Sequence, residues 1–433
     1  MMLTQTTLAN WGNYPATEAR VATPESIEEV RACLLSQERL IARGNGKCYG
    51  DAALGPSVLS TLRLNRVLHF EPQTGQIECQ AGVLLADLLG LVVPAGWFFH
   101  VTPGIKFITV GGAIASDVHG KNHPAKGCFS NWLHSFELML ASGEIVTCSR
   151  TERPDLFWQT CGGMGWTGII LSAKFQLMEI SSAQLRQVTL RAADLDGLFS
   201  AFEENRQWPY QVAWLDGTHP HGRGAVFLAE HLREKEASSP LAFPAKKSVS
   251  VPLFAPAWLL NPLTIKTYNE LFYRKNQPNE KVVDLDACFY PLDRIGHWNR
   301  LYGRRGFIQY QCCLPEEQSL EGLKKMLALI QTSPETPFLT VLKRHGERPP
   351  EAVHSFPIKG YSLALDFPRT KTIFHLVEKL DDLVWGLGGK IYLTKDACSA
   401  PRMGRVNPSA FGSEKFYSLL KERLLQPDKR LEE

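Results

Sequence analysis

The hydrophobic pattern of roughly the first 180 residues changes repeatedly between helical and strand spacing. Apolar residues at every third or fourth position predict helices over 23–34 and 84–91. Alternating apolar and polar residues on either side of a turn predict β-hairpins over 67–80 and 136–147, and a short apolar run predicts a strand over 39–43. This half of the chain therefore mixes short helices with hairpins, joined by glycine-dense loops.

Longer elements follow in the second half of the chain. Alternation predicts strands over 306–314, 338–343 and 361–367, and apolar stripes predict helices over 319–330 and 371–385. The order strand, helix, two strands, helix is typical of an antiparallel sheet that is covered by helices on one face.

Together these patterns predict an α+β protein with two domains. The glycine-dense loops end near 176–183, which places a boundary there. We expect the first part of one domain over 1–181 and a second, substrate-binding domain over 182–389. The segment 390–433 is expected to return to the first domain, beginning with a strand over 390–395.

Composition and charge narrow the class of protein. Of the 433 residues 44% are hydrophobic and 21% are charged, as in compact globular proteins. The net charge is only +3 and no long basic run is present, which argues against nucleic acid as a partner. The ten cysteines contain no C-x-x-C pair, so the sequence predicts neither a redox dithiol nor a metal site.

Targeting signals and membrane spans are not evident. Residues 1–13 carry neither the basic nor the apolar region of a signal peptide, so we expect a cytoplasmic protein with reduced thiols. The most apolar stretches, 83–99 and 249–265, are interrupted by prolines and do not make clean membrane spans.

Three glycine-rich segments could bring backbone close to a ligand. The loop 44–51 follows a predicted strand, and its glycines permit positive φ. Small residues dominate 102–123, which is either a surface for a flat or phosphorylated ligand or a packed loop with incidental histidines. The third, 163–168, matches G-x-G-x-x-G, but a helical turn precedes it and a strand follows it, the inverse of the dinucleotide fingerprint. We interpret it as a turn that needs glycine.

Several of these segments together resemble a known flavoprotein superfamily, that of vanillyl-alcohol oxidase and p-cresol methylhydroxylase. The segments that resemble its FAD domain are 43–51, 103–104, 110–112 and 158–168. Within the superfamily, the chain looks most like the decaprenylphosphoryl-β-D-ribose 2′-oxidases. The segments that carry this closer resemblance are 119–123, 306–311 and 392–396. The resemblance covers nearly the whole chain and thins between about 240 and 278.

The resemblance implies a p-cresol methylhydroxylase-type domain with bound FAD. The residues that it assigns to the cofactor are Ala42, Arg43, Gly44, Asn45, Gly46, Lys47, Cys48, Tyr49, Gly50, Asp51, Ala52, Gly104, Thr109, Val110, Gly111, Gly112, Ser116, Asp117, Val118, His119, Ile170 and Tyr392. In covalent members of the superfamily a histidine after the R-G-x-G run bonds the flavin, and here that position is Lys47. We therefore expect non-covalent FAD.

The resemblance also implies which side chains meet the substrate. It assigns catalysis to Lys395, His119 and Tyr49, and substrate binding to Gln311, Lys343 and Lys121. A cation such as Lys395 beside the flavin could polarise the substrate hydroxyl. From the residues alone, Lys395 could equally be a surface lysine, and Tyr49 and His119 could be hydrogen-bonded core residues.

The implied reaction is FAD-dependent oxidation of a secondary alcohol on a sugar. The expected substrate is the 2′-hydroxyl of a polyprenyl-phosphate-linked pentose, oxidised to a keto sugar by hydride transfer to flavin N5, with a short-chain reductase as a partner that reduces the product. Ser362 and Ala364 stand where the mycobacterial-type enzymes of the family have Asn and Cys near the substrate, so the pocket chemistry differs. Two alternatives stay open: an oxidase or dehydrogenase of a soluble sugar, alditol or aldonolactone, and a non-catalytic flavin- or sugar-binding protein.

The segment 241–265 combines many apolar residues with four prolines and the pair Lys246-Lys247. The prolines disfavour a long helix or a central strand. The segment is either a buried connection or a lid that meets a polyprenyl tail or the inner membrane surface, with Trp258 at the interface.

Overall fold

The computed structural model describes residues 3–233, 236, 241–243, 249–256, 258–399 and 412–425. Its strands are β1 (Thr4–Ala9), β2 (Ala16–Ala22), β3 (Ile41–Arg43), β4 (Ser57–Ser60), β5 (Val67–Glu71), β6 (Gln76–Gln80), β7 (Trp97–Phe99), β8 (Leu133–Met139), β9 (Ile145–Ser149), β10 (Ile169–Glu179), β11 (Gln184–Ala192), β12 (Tyr210–Leu215), β13 (Gly224–His231), β14 (Val249–Ser250), β15 (Asn279–Asp284), β16 (Ile295–Gly296), β17 (Phe307–Pro315), β18 (Thr340–His345), β19 (Gly360–Pro368) and β20 (Lys390–Ile391). Its helices are α1 (Ile27–Ser36), α2 (Leu85–Val92), α3 (Val110–Ala115), α4 (His123–Lys126), α5 (Pro154–Thr160), α6 (Leu195–Glu204), α7 (Pro262–Lys275), α8 (Leu285–Phe289), α9 (Glu316–Gln331), α10 (Ile373–Gly386) and α11 (Leu419–Leu425).

The first half of the chain builds two sheets that share one core region. A four-stranded sheet has the order β1-β2-β4-β3, and a larger sheet has the order β5-β6-β10-β8-β9 with β7 also on β10. The hairpins β5–β6 and β8–β9 confirm the alternation seen in the sequence. Helix α2 buries Leu85, Leu88, Leu89 and Val92 in the core against the larger sheet, because these residues lie on one helical face.

The segment that matches G-x-G-x-x-G lies between α5 and β10, and β10 is a central strand of the larger sheet. Helix therefore precedes the glycines and strand follows them, which confirms the inverted order. The glycine requirement is visible at Gly165, where φ is +79°.

An eight-stranded sheet with antiparallel neighbours forms in the second half. Its order is β15-β11-β13-β12-β18-β19-β17-β20. Alternate residues of β11, β12, β13, β18, β19 and β17 face helices α6, α9 and α10, and Ile308, Tyr310 and Leu314 of β17 belong to that buried cluster. The other residues face a cavity. Helices on one face of an antiparallel sheet confirm the α+β class; the limits of the two domains stay a prediction.

The C-terminal segment first joins the edge of the eight-stranded sheet and then contacts the first half. In place of the predicted strand over 390–395, the structure has the two-residue strand β20. It pairs with Cys312 and Cys313 at the edge of the eight-stranded sheet. The return to the first half begins at Tyr392, and two residues later the Thr394 carbonyl accepts from the Tyr49 amide at 3.0 Å.

The proline-rich segment departs from expectation at its end. Pro262 is the first residue of the 14-residue helix α7, with Asn261 as its N-cap. The inference that these prolines disfavour a long helix was wrong there, because the first helical position needs no amide hydrogen. Pro244, Lys246 and Lys247 lie outside the described residues.

All ten cysteines carry free thiols. Within the described part of the chain, no helix is long and apolar enough to cross a membrane. In the same residues, no cluster of three or more His, Cys, Asp or Glu side chains has the geometry of a metal site.

Candidate active site

A cavity of about 900 Å³ lies between the loops of the first half and the open face of the eight-stranded sheet. Most of the site residues assigned from the sequence line it. Those residues are Ala42, Arg43, Gly44, Asn45, Gly46, Lys47, Cys48, Tyr49, Ala52, Gly104, Thr109, Gly111, Gly112, Ser116, Val118, His119, Lys121, Ile170, Gln311, Lys343, Tyr392 and Lys395. The fold thus brings together side chains from both halves and from the C-terminal return.

The loop after β3 presents backbone donors to this cavity. Gly46 has φ of +59°, a conformation that favours glycine. The loop is held from behind by Arg43, which donates to the Ala9 carbonyl at 2.9 Å. Among the described residues, the amides of Asn45, Gly46 and Lys47 donate to no protein acceptor. Such a row of free amides is suited to an anion such as a phosphate.

A second segment lies directly against that loop. The Thr109 hydroxyl caps α3 by accepting from the Gly112 amide at 3.1 Å. A Cβ on Gly44 would come within 2.2 Å of the Thr109 hydroxyl oxygen, so only glycine permits this approach. The two segments therefore form one wall of the cavity.

Four residues assigned to the cofactor do not line the cavity. Val110 is fully buried in the core. Asp51 accepts a bidentate pair of hydrogen bonds from Arg423, and a Cβ on Gly50 would lie 1.7 Å from the Asp396 carbonyl oxygen. Asp117 faces away as well: its carboxylate accepts from the amide and hydroxyl of Ser130 and from the Ser355 hydroxyl. These residues support the cavity walls from behind. The sequence assignment included them because membership of a motif does not determine which way a side chain points.

Lys395 and Tyr49 are in direct contact at the centre of the cavity. The Lys395 ammonium nitrogen lies 3.5 Å from the centroid of the Tyr49 ring, a cation–π contact. Burial lowers the pKa of Lys395 to about 7, although the charge of Asp366 acts in the opposite direction. Amine and ammonium forms of Lys395 are therefore both accessible near neutral pH.

The sequence did not single out Asp366, which is buried behind Lys395. Its carboxylate accepts from the Gln309 amide and, at 3.4 Å, from the Tyr302 hydroxyl. Burial raises the pKa of Asp366 to about 7. A carboxylate within strand 361–367, which has no other charged residue, on the face opposite the helices, was the available signal.

His119 lies beside Gln311, with 3.2 Å between its Nε2 and the Gln311 amide nitrogen. Burial, with the charge of Lys343 next in effect, holds the pKa of His119 well below its usual range. The imidazole is therefore neutral and able to accept a hydrogen bond from that amide. The Tyr392 ring packs 5.1 Å from the His119 ring and donates its hydroxyl to the Ser116 carbonyl.

Two further lysines of the assigned set have different environments. Lys343 faces the cavity from β18, and burial lowers its pKa to about 8. Lys121 donates to the Cys288 carbonyl and lies 6.0 Å from the Phe289 ring centroid, so its ammonium is already held by the protein. Lys343 has the freer charge of the two for a ligand.

The cavity continues past the lysines as an apolar extension. We use this name for the part lined by Val212, Trp214, Phe227, Tyr268, Phe272 and Phe338. Trp214 and Phe272 lie 4.7 Å apart between ring centroids, and Tyr268 and Phe338 lie 5.3 Å apart. Sequence reasoning missed this part, because its residues come from β12, β13, α7 and the segment before β18, where no local motif marks them.

Comparison with known proteins identifies the family. A family model described as an FAD binding domain matches residues 18–149. The chain is 36% identical over 412 residues to decaprenylphosphoryl-β-D-ribose oxidase of Mycolicibacterium smegmatis, which covers 90% of this chain and 88% of that protein. The chain belongs to the decaprenylphosphoryl-β-D-ribose oxidase family.

More distant relatives act on lactones. L-Gulonolactone oxidase of Mus musculus is 26% identical and covers 53% of this chain and 52% of its own length. D-Arabinono-1,4-lactone oxidase of Yarrowia lipolytica is 27% identical, covering 44% of this chain and 38% of its own length. Together with the family model, these relatives show that this member of the decaprenylphosphoryl-β-D-ribose oxidase family is an FAD-dependent oxidoreductase that acts on alcohol groups.

The cavity of this family member fits FAD. The free amides at 45–47 are suited to its pyrophosphate, and Gly104 faces open cavity, with nothing within 4 Å of the place where a Cβ would stand. Lys47 occupies the position of the linking histidine in covalent relatives, and its ammonium nitrogen lies 3.4 Å from the Trp11 ring centroid. The residues that would hold FAD are thus the loop after β3, the start of α3 and Tyr392.

Proposed function

We propose that this protein oxidises the 2′-hydroxyl of a polyprenyl-phosphate-linked pentose to a ketone. The similarity to decaprenylphosphoryl-β-D-ribose oxidase over 90% of the chain supports the sugar and its lipid carrier. A soluble sugar, alditol or aldonolactone is the competing substrate class, supported by the partial similarity to lactone oxidases.

The shape of the cavity is the observation that carries the lipid-linked substrate. Lining residues run across the sheet from β17 to β15, which is six inter-strand spacings of about 4.8 Å, or about 29 Å. Along this path the lining changes from Gln309 and Gln311 on β17, through Lys343 on β18, to Val212 on β12 and Phe227 on β13. A pentose alone is much shorter than this path.

The order of side chains matches the order of groups in such a substrate. The sugar would lie against Gln311 and His119, near Lys395, where neutral donors and acceptors can bind its hydroxyls. Lys343, two strands further on, would meet the phosphate. The apolar extension would hold the first isoprene units, since aromatic and branched side chains line it.

The chemistry divides between the cofactor and this chain's residues. FAD supplies the hydride acceptor when it is bound. Lys395, as the amine, accepts the proton of the 2′-hydroxyl while the C2′ hydride departs, so that the oxygen becomes a carbonyl without passing through a free alkoxide. Tyr49 holds the resulting ammonium over its ring, and the walls of the cavity exclude water from the reacting carbon.

The same proposal includes two partners. In the described part of 241–265, Val249 is 79%, Leu253 77% and Trp258 70% exposed, so these side chains are free to contact a membrane surface that supplies the substrate. Phe243 and Ile265 face inward, which would anchor the segment. A short-chain reductase that consumes the keto sugar is the second proposed partner.

Isotope placement tests the position of oxidation. A polyprenyl-phosphate pentose with deuterium on C2′ should lose its deuterium when the holoenzyme oxidises it, whereas the C3′-deuterated compound should keep it; mass spectrometry of the product distinguishes the two. Retention of deuterium from C2′ in the oxidised product would show that another carbon reacts.

A further inference from the structure

Asp366 has an unusual place for a carboxylate. It is 1% exposed on β19, and its partners Gln309 and Tyr302 are neutral side chains. Both partners line the cavity, whereas Asp366 lies behind them. A buried carboxylate whose direct hydrogen-bond partners are neutral is costly, so its presence near the lysine of the site calls for a reason.

The groups around Lys395 show what the carboxylate does. The Tyr49 ring lies under the ammonium, and the charges that act on it come from Asp366, Lys343 and Cys48. Cys48 is a thiol with a raised pKa and is uncharged near neutral pH. Asp366 is thus the anion of this set, and it opposes the repulsion from Lys343.

Gln309 adds a structural link. Its side-chain nitrogen donates to Asp366, and the same side chain faces the Tyr49 hydroxyl. Because an amide has a donor end and an acceptor end, the bond to Asp366 fixes which end is available to Tyr49. The carboxylate therefore restrains the ring on which Lys395 rests.

We propose that Asp366 is a positioning residue for Lys395, which its carboxylate holds in place by its negative charge and, through Gln309, by fixing Tyr49. This inference rests on the role of Lys395 proposed above. Asp366 does not line the cavity and acts through the lysine. This role also explains why β19, which has no other charged residue, carries an aspartate at this position.

Protonation links the two groups. Burial brings the pKa of both Asp366 and Lys395 to about 7, and each charge favours the other. The pair therefore titrates as a unit. Removing the carboxylate lowers the pKa of Lys395, because the neighbouring anion that stabilises the ammonium is gone while Lys343 remains.

The test is direct titration of Lys395 in the holoenzyme, by competitive amine labelling across pH and mass spectrometry of its peptide. Asp366→Asn, which keeps the shape, should lower the Lys395 pKa by about 1 unit or more. The acid limb of the kcat–pH profile should move to lower pH by the same amount, and the FAD content should stay unchanged. Tyr302→Phe should move the Lys395 pKa in the same direction by less, because it weakens the anion without removing it.

Asp381→Asn is the matched control. Asp381 is equally buried, but it accepts from Tyr310 at 3.2 Å on the helix-facing side of β17. An unchanged Lys395 pKa in Asp366→Asn, or an equal shift in Asp381→Asn, would overturn the inference. The labelling uses no substrate, so failure of the proposed substrate assignment would appear separately, as absence of oxidation with a normal lysine titration.

Discussion

Arg423 and Asp51 are 372 positions apart in the chain and form a buried bidentate ion pair. Arg423 Nε donates to one Asp51 oxygen at 2.9 Å and Nη2 to the other at 3.0 Å, and Nη2 also donates to Asp396 at 3.1 Å. One guanidinium of α11 thus joins the end of the loop after β3 to the residue next to Lys395.

This pair predicts a large effect of a remote substitution. Arg423→Met should lower the free energy of unfolding by about 3–5 kcal/mol, since it leaves two buried carboxylates without their cation. It should also reduce the FAD content of the purified protein. Denaturant titration and the flavin-to-protein absorbance ratio measure both.

A surface arginine provides the control for that prediction. Arg186 pairs with Glu230, and both side chains are about two-fifths exposed, so Arg186→Met should lower the free energy of unfolding far less than Arg423→Met does. Similar losses of stability for both variants would show that the buried ion pair between α11 and the loop after β3 contributes no more than an exposed one.

FAD attachment is predicted to be non-covalent. Lys47 stands where covalent relatives carry the linking histidine, and its ammonium is engaged with the Trp11 ring. Acid precipitation should therefore leave the yellow colour in the supernatant. Colour that stays with the pellet after washing would contradict this expectation.

Lys395→Met is predicted to retain FAD and fold but to reduce flavin about a hundredfold more slowly or worse, because the proton acceptor and the cation are both lost. Lys390→Met is the control: Lys390 also has a lowered pKa, but it donates to the Val353 and Ser355 carbonyls and does not line the cavity. Stopped-flow measurement should find the control near the wild-type rate. A wild-type rate in Lys395→Met would remove the lysine from the chemistry.

The pH dependence follows from the same lysine. The amine form is the proton acceptor, and burial places the pKa of Lys395 at about 7. The rate of flavin reduction should therefore rise with pH through about 7 and level off above it. In Lys395→Met this limb should disappear; a limb that persists there would belong to another group, of which Asp366 is the first candidate.

The exposed apolar residues of 249–258 predict membrane binding. Replacing Leu253 and Trp258 by serine should weaken sedimentation with anionic liposomes and slow turnover of a long-chain substrate more than of a short-chain analogue. The matched control replaces Leu35 and Leu68, which are 56% and 50% exposed elsewhere on the surface. Equal effects of the two pairs, or equal losses on both substrates, would argue against a membrane role.

How far the sequence predicted this molecule depends on the range of the interactions. The hairpins, α2 and the helices on the eight-stranded sheet follow from local periodicity, and the structure contains them. The cavity loops were found because glycine content and motif order are visible locally. The orientation of Asp51 was not predictable, because its partner Arg423 lies near the other end of the chain.

The same reason accounts for the missed parts of the site. The role of Asp366 depends on its hydrogen bond to Gln309 and on the charge of Lys395, and these two residues lie on another strand and in a loop. The apolar extension depends on Phe272 of α7 meeting Trp214 of β12. Neither contact leaves a pattern within one segment, and α7 itself was obscured by the prolines before it.

The central claim is that a lipid-linked pentose is the substrate, and anaerobic bleaching of the bound flavin tests it most directly. Purified holoenzyme is mixed with a polyprenyl-phosphate pentose, the free pentose, an alditol and an aldonolactone, and flavin absorbance is followed. The account predicts rapid bleaching by the polyprenyl-phosphate pentose and bleaching slower by at least an order of magnitude with the others, as expected when remote binding energy positions the sugar. Faster bleaching by the aldonolactone or the alditol would contradict it and assign the protein to soluble substrates.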